Sequence, residues 1–226
     1  NTSNIISSAE RITTNKTRIV SRNQQMMRLD SETTKDLNQH QEKELLTVIK
    51  KYFETNTPDV LIFEDYNKGV LTENIIQQVI ALCKQFNIVT TVDPKRKNFF
   101  AYQGVDIFKP NLKEVKEGLN LLIDEVNDAA LQSIHQQLNQ KLKHEVSLIT
   151  LSEKGVFYQS SAHSNIIPTH IRNIADVSGA GDTVIAVASL VYAAEKNIEL
   201  AAQMANIAGG LVCEEVGTSP INKEKL

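Results

Sequence analysis

A chain of 226 residues with 41% apolar side chains has the length and the core material for one large domain, or for one domain with an appendage. A net charge of −3 argues against a general nucleic-acid or anionic-membrane surface; no stretch is apolar for long enough to span a membrane, and no signal peptide is visible. Cys83 and Cys213, both in apolar helix-like surroundings, fit reduced residues of a cytoplasmic protein better than a disulfide. The chain starts at Asn1 rather than Met, so a trimmed or processed N-terminus is expected.

In chain order, residues 11–29 carry Arg11, Lys16, Arg18, Arg22 and Arg28 with no acidic residue among them. Their β-branched runs predict two strands around a polar turn at Arg22 and Asn23. The charges are either a solvated strand face or a cluster that holds a phosphorylated substrate. Leu45, Leu46, Ile49 and Phe53 recur at helical spacing and predict a helix over 37–53. Residues 60–63, Val-Leu-Ile-Phe, read as a buried parallel strand, which delivers Glu64-Asp-Tyr-Asn-Lys68-Gly69 at its end before a helix over 72–86. A strand over 88–92 ends in Asp93-Pro-Lys-Arg96, and one over 106–110 ends in Asn111-Leu-Lys-Glu114 and a further helix.

This repeated strand–polar loop–helix order predicts an α/β fold with a parallel sheet, in which ligands bind beyond the carboxyl ends of the strands. Each polar cluster alone is also ordinary capping or turn chemistry, Asn111 and Asp93-Pro94 above all. Residues 124–144 form a polar helix with Leu131, Ile134 and Leu138 on one face, where His135 and His144 are expected to be solvated. Strands over 146–151 and 156–159 flank a tight turn, Ser152-Glu-Lys-Gly155, and a third strand is expected over 165–174.

Asp176-Val-Ser-Gly-Ala-Gly-Asp-Thr183 then runs into an Ala-rich apolar helix. Gly179, Ala180 and Gly181 fall at its start, where unpaired N–H groups and the dipole make an anion site. Asp182 beside that site is either a first-turn dipole partner or a base that takes a proton from a hydroxyl attacking phosphorus. A second apolar helix over 200–213 contains Gly209-Gly210, which implies close packing or ligand approach, and residues 216–220 form a terminal loop.

The Asp-x-Ser-Gly-Ala-Gly-Asp-Thr segment resembles the C-terminal signature of the ribokinase-like (PfkB) carbohydrate kinases. Within them it is similar to the kinases of D-glycero-β-D-manno-heptose 7-phosphate in ADP-heptose synthesis. Further matches are Thr14-Asn-Lys-Thr-Arg18, Arg22-Asn-Gln-Gln25, Asp65-Tyr-Asn-Lys-Gly69, Asp93-Pro-Lys95 and Lys109-Pro-Asn-Leu-Lys-Glu114. The resemblance implies a three-layer α/β/α fold with a mostly parallel sheet, with lid strands in residues 1–30 and a kinase core over 31–226.

It further implies Asp182 as base on the anomeric hydroxyl, with Gly179, Ala180 and Gly181 around the transferring phosphoryl group. Asn111 and Glu114 are implied to place the nucleotide phosphates and, indirectly through Glu114, Mg²⁺. Ser152, Glu153, Gly155, Asn206, Gly209 and Val216 are implied to flank ATP. Asp65, Lys68, Lys16, Arg18 and Arg22 are implied to face the sugar phosphate. A homodimer through the lid strands is also implied, as is a role in lipopolysaccharide core synthesis.

The family's N-terminal third, with its glycine-containing sugar-binding segment, has no counterpart before Asn1, and no nucleotidyltransferase domain follows Leu226. A fragment, inactive alone and without that second activity, is therefore expected. The alternatives are another PfkB-type kinase, acting as a ribokinase, fructokinase or phosphofructokinase, and a non-catalytic nucleotide- or sugar-phosphate-binding module.

Overall fold

The structure, a computed structural model, describes residues 2–21, 24–122, 125–169 and 174–226. The two basic, β-branched segments form β1 (Asn15–Ser21) and β2 (Gln24–Ser31), an antiparallel ribbon with a register shift between Ile19 and Val20. Lys16 opposes Asp30 and Arg18 opposes Arg28, whereas Thr17 opposes Leu29 and Ile19 opposes Met27. Because successive side chains alternate, the ribbon has one charged face and one mostly apolar face. The expected turn at Arg22 and Asn23 lies outside the described residues.

α1 (Gln39–Thr55) begins where Asn38 accepts from the Gln41 N–H and the Gln41 side chain accepts from the Asn38 N–H. The apolar run then forms β3 (Val60–Glu64), and Thr72 caps α2 (Glu73–Phe86) by accepting from the Ile75 N–H. There follow β4 (Val89–Asp93), β5 (Ile107–Phe108), α3 (Leu112–Leu119), α4 (Asp128–Leu142), β6 (Val146–Thr150), β7 (Val156–Gln159), β8 (Ser164–Ile167), α5 (Ala180–Glu195) and α6 (Ile198–Val212).

One sheet runs β3-β4-β5-β6-β7-β8, parallel from β3 to β6 and antiparallel across β6-β7-β8. Among the described residues no strand pairs with the far edge of β3. Alternation along the strands separates two cores. Phe108, Ile149 and Phe157 pack with residues of α1 to α4, while Ile107, Leu148, Val156 and Tyr158 pack with α5 and α6. The result is the expected three-layer α/β/α arrangement. No helix is long and apolar enough to cross a membrane among the described residues, and Cys83 and Cys213 are free thiols.

Two local expectations change and a third holds. His135 and His144 are buried, not solvated: Ser147 Oγ lies 2.9 Å from His135 Nδ1 and 2.6 Å from His144 Nε2. For His135 the cause is helical spacing, which puts it on the same face as Leu131, Ile134, Leu138 and Leu142. Burial lowers the pKa of both, that of His144 to about 3. The strand expected over 165–174 ends at Ile167, ahead of Pro168, and residues 170–173 lie outside the described set. At Gly209, close packing holds: a Cβ there would meet Val184 Cγ2 at 2.7 Å, so glycine lets α6 approach α5.

Candidate active site

The sheet delivers three strand ends to one place, and α5 brings its N-terminus to meet them. β3 contributes Glu64, β4 contributes Asp93, and Asp182 comes from the first turn of α5. One carboxylate oxygen from each of these three residues lies within 4.8 Å of the other two. Lys109, just past β5 and almost fully buried, places Nζ 3.0 Å from Asp93 Oδ2. Lys95 Nζ reaches Asp93 Oδ1 at 3.2 Å and Glu114 Oε1 at 2.7 Å.

The charges of this centre set its titration. Burial, then the neighbouring Asp93 and Asp182, push the Glu64 carboxyl from 4.5 up to about 7. Burial lowers the pKa of Lys95, but Asp93 and Glu114 outweigh it and leave the ammonium more firmly protonated than usual. Tyr66, in the loop after β3, donates its hydroxyl to Asp182 at 2.8 Å from both Oδ1 and Oδ2. Burial and that contact raise its pKa. Lys16 Nζ stands 5.5 Å from the Tyr66 ring centroid, so the charged face of the ribbon turns toward Asp182.

α5 starts sharply because Gly179 adopts φ 83°, a left-handed conformation that a side chain would disfavour. Of the glycine-rich turn, the Ala180 N–H is bonded to Val177 O at 3.3 Å. A Cβ at Gly181 would lie 3.7 Å from Asp93 Oδ2 and 3.9 Å from Lys109 Nζ, so this backbone borders both. Asp176 ties the turn to the terminal loop by accepting from the Ser178 and Gly217 N–H groups at 2.9 and 3.1 Å.

A cavity of about 390 Å³ opens beside this helix start, lined by Ser152, Glu153, Gly155, Asn206 and Gly209 and bounded by Ala180 and Gly181. Five of the expected nucleotide residues thus share one pocket that ends next to Asp182. Val216 is not among its lining and is 80% exposed. It is the neighbouring Gly217 N–H, bonded to Asp176, that ties this loop to the helix start.

Asn111 and Glu114 form a capping box on α3: Asn111 Oδ1 accepts from the Glu114 N–H and Glu114 Oε2 from the Asn111 N–H, both at 2.8 Å. With Oε1 on Lys95, both Glu114 oxygens are engaged, so its influence on the centre passes through Lys95. Glu64, Asp93 and Asp182 offer oxygen donors alone, the donor set Mg²⁺ takes, and therefore fit the ion the sequence resemblance implies.

The expected sugar-phosphate residues divide. Lys16 reaches the centre through Tyr66, and Arg18 is exposed on the same ribbon face. Arg22 lies outside the described residues. Lys68 is paired with Glu32 at 2.6 Å. Asp65 is turned inward, with Oδ1 accepting from the Asn67 N–H at 2.7 Å and Oδ2 from Tyr102 at 2.8 Å. It holds the loop instead of presenting a free carboxylate to a sugar. Glu64, Tyr66, Asp93, Lys95 and Lys109 were not singled out individually, although their positions at strand ends carried the signal.

A family profile described as pfkB family carbohydrate kinase matches residues 1–225. The bifunctional protein HldE of Syntrophotalea carbinolica is 37% identical over 220 residues, covering 96% of this chain and 44% of its own length. That of Methylobacillus flagellatus is 39% identical over 228 residues, covering 100% of this chain and 46% of its own. The chain therefore spans less than half the length of these curated relatives. Phosphofructokinase-2 from Escherichia coli in complex with potassium superposes with a TM-score of 0.74 at 16% identity, over 88% of this chain and 64% of that one. Ribokinase from Thermotoga maritima gives 0.59 at 18%, over 78% and 59%. At such identities these two structures speak for the fold alone, which is ribokinase-like. With its sequence matched nearly end to end by the profile, the chain belongs to the pfkB family of carbohydrate kinases.

Proposed function

We propose that this chain carries the phosphoryl-transfer centre of a kinase that moves the γ-phosphoryl group of ATP to the anomeric hydroxyl of D-glycero-β-D-manno-heptose 7-phosphate. The observation that carries the reading is the place of Asp182, in the first turn of α5 where the cavity ends and Glu64, Asp93 and Lys109 converge from the strand ends. A nucleotide seated against Ser152, Gly155, Asn206 and Gly209 would direct its terminal phosphate to Gly181. Asp182 takes the proton of the attacking hydroxyl, whose oxygen bonds to the γ-phosphorus. The bond to the bridging oxygen then breaks with its electron pair left on ADP.

The helix dipole and Lys109 offset the charge on the transferring group. Bound Mg²⁺ would supply further charge neutralisation on the phosphates, with Glu64 and Asp93 holding it beside Asp182. Lys16 and Arg18, on the charged face of the ribbon, meet the phosphate of the sugar. Support for the substrate comes from the motifs and from relatives named HldE at 33–39% identity. An ATP-consuming reaction of this kind belongs in the cytoplasm.

The test is ADP release by the full encoded protein with heptose 7-phosphate, ribose, fructose and fructose 6-phosphate as acceptors, where the heptose should lead. Preference for an unphosphorylated sugar would remove the phosphate role of the ribbon. Release with none of them would leave the second reading, a non-catalytic nucleotide- or sugar-phosphate-binding module. The apolar ribbon face, with Ile19, Met27 and Leu29 about half exposed, is the surface for a homodimer. Light scattering that found only monomer would remove that element.

A further inference from the structure

Tyr66 closes directly on the base. Its single O–H sits astride both Asp182 oxygens at 2.8 Å, the position an attacking sugar hydroxyl must take to hand over its proton. The side chain is 47% exposed and lies beyond the end of β3, so swinging it away uncovers no core. The stem of its loop is fixed, because Asp65 accepts from Asn67 and Tyr102. The ribbon and the segments flanking it engage the same loop at three points: Lys16 over the ring, Glu32 on Lys68, and Arg11 donating to the Lys68 carbonyl at 2.6 Å.

We propose that Tyr66 is a latch on Asp182: its hydroxyl occupies the base until the hydroxyl of a bound sugar displaces it, and water is thereby kept from the base while the acceptor site is empty. The inference rests on the kinase reading. An uncovered Asp182 beside ATP would accept a proton from water. The water oxygen would bond to the γ-phosphorus, the bridging P–O bond would break with its electron pair on ADP, and phosphate would be lost. Lys16 couples the latch to the ribbon, because a sugar phosphate that draws Lys16 away removes the cation resting on the ring.

The experiment compares wild type, Tyr66→Phe and Lys16→Met in the full encoded protein. Loss of a hydrogen bond to a charged group corresponds to about a tenfold change. Tyr66→Phe should therefore raise sugar-independent ADP release about tenfold and lower KM for the sugar, with kcat kept within about threefold. Lys16→Met should raise sugar-independent release by a smaller factor. In protein labelled at tyrosine ¹³Cζ, the Tyr66 resonance should shift in Asp182→Asn and on addition of sugar phosphate. Unchanged sugar-independent release in Tyr66→Phe, with normal sugar-dependent turnover in wild type, overturns the latch alone. A Tyr66 resonance that ignores both Asp182→Asn and the sugar also overturns it. Absence of ADP release with any sugar, in wild type and variants alike, removes the kinase reading and the latch with it.

Discussion

Glu64→Gln removes the charge that burial and two neighbouring carboxylates disfavour. Burial, then Asp93 and Asp182, move the Glu64 carboxyl from 4.5 to about 7, which at full weight corresponds to about 3 kcal/mol. Glu64 is only partly buried, and solvent screening brings the expected contribution to about 1 kcal/mol. The sign follows from proton binding. The folded state keeps this proton to higher pH than the unfolded chain, so the associated stability is complete below about 4.5 and is lost as pH rises through about 7. Glutamine keeps the shape without the charge. Urea unfolding of both proteins at pH 5 and pH 8 should show the variant gaining about 1 kcal/mol on wild type between the two values. A wild-type-minus-variant difference that is independent of pH, or that grows in the other direction, would refute the electrostatic account of this centre.

Other expectations follow from the same geometry. Millimolar Mg²⁺ should stabilise wild type at pH 8 more than Glu64→Gln, measured as a shift in Tm, because a cation among the carboxylates offsets their repulsion. Gly209→Ala puts a methyl group 2.7 Å from Val184 Cγ2 and should cost about 1–3 kcal/mol; Val184→Ala in the same chain should recover part of that in a denaturant titration. Ser147→Ala leaves buried His135 and His144 without their shared hydroxyl and should cost about 1–3 kcal/mol. His144 titrates near 3 in the fold, so the stability of its neutral form is present above about 6.5 and is lost as pH falls. His144→Leu should flatten acid unfolding in that window.

The layers and the helix starts were legible because they rest on local rules. The run at residues 60–63 is apolar at every position and forms β3, but only Phe63 is buried, because among the described residues β3 has a neighbouring strand on one side alone. Asn111 and Glu114 stand three apart, as a capping box does. Gly179 to Asp182 announced a helix N-terminus, and the cavity beside it gathered Ser152, Gly155, Asn206 and Gly209.

What the pattern did not disclose depends on contacts between distant segments. Tyr66 and Asp182 are 116 positions apart, and nothing in either neighbourhood specifies their meeting. Asp65 and Tyr66 are adjacent at a strand end, where one side chain turns in toward Tyr102 and the next turns out. Spacing alone does not say which. His135 was misread for a different reason. The interval from Leu131 already placed it on the buried face, but its polarity argued the other way until Ser147 supplied the partner.

The most direct test of phosphoryl transfer by Asp182 is ³¹P NMR of the full encoded protein with ATP, Mg²⁺ and heptose 7-phosphate, in wild type and in Asp182→Asn. Wild type should generate a new phosphomonoester resonance coupled to the anomeric proton as ATP is converted to ADP. The variant, deprived of its base, should generate it about 10²–10⁴-fold more slowly. No new resonance in wild type, or one that grows at the same rate in Asp182→Asn, would contradict the account.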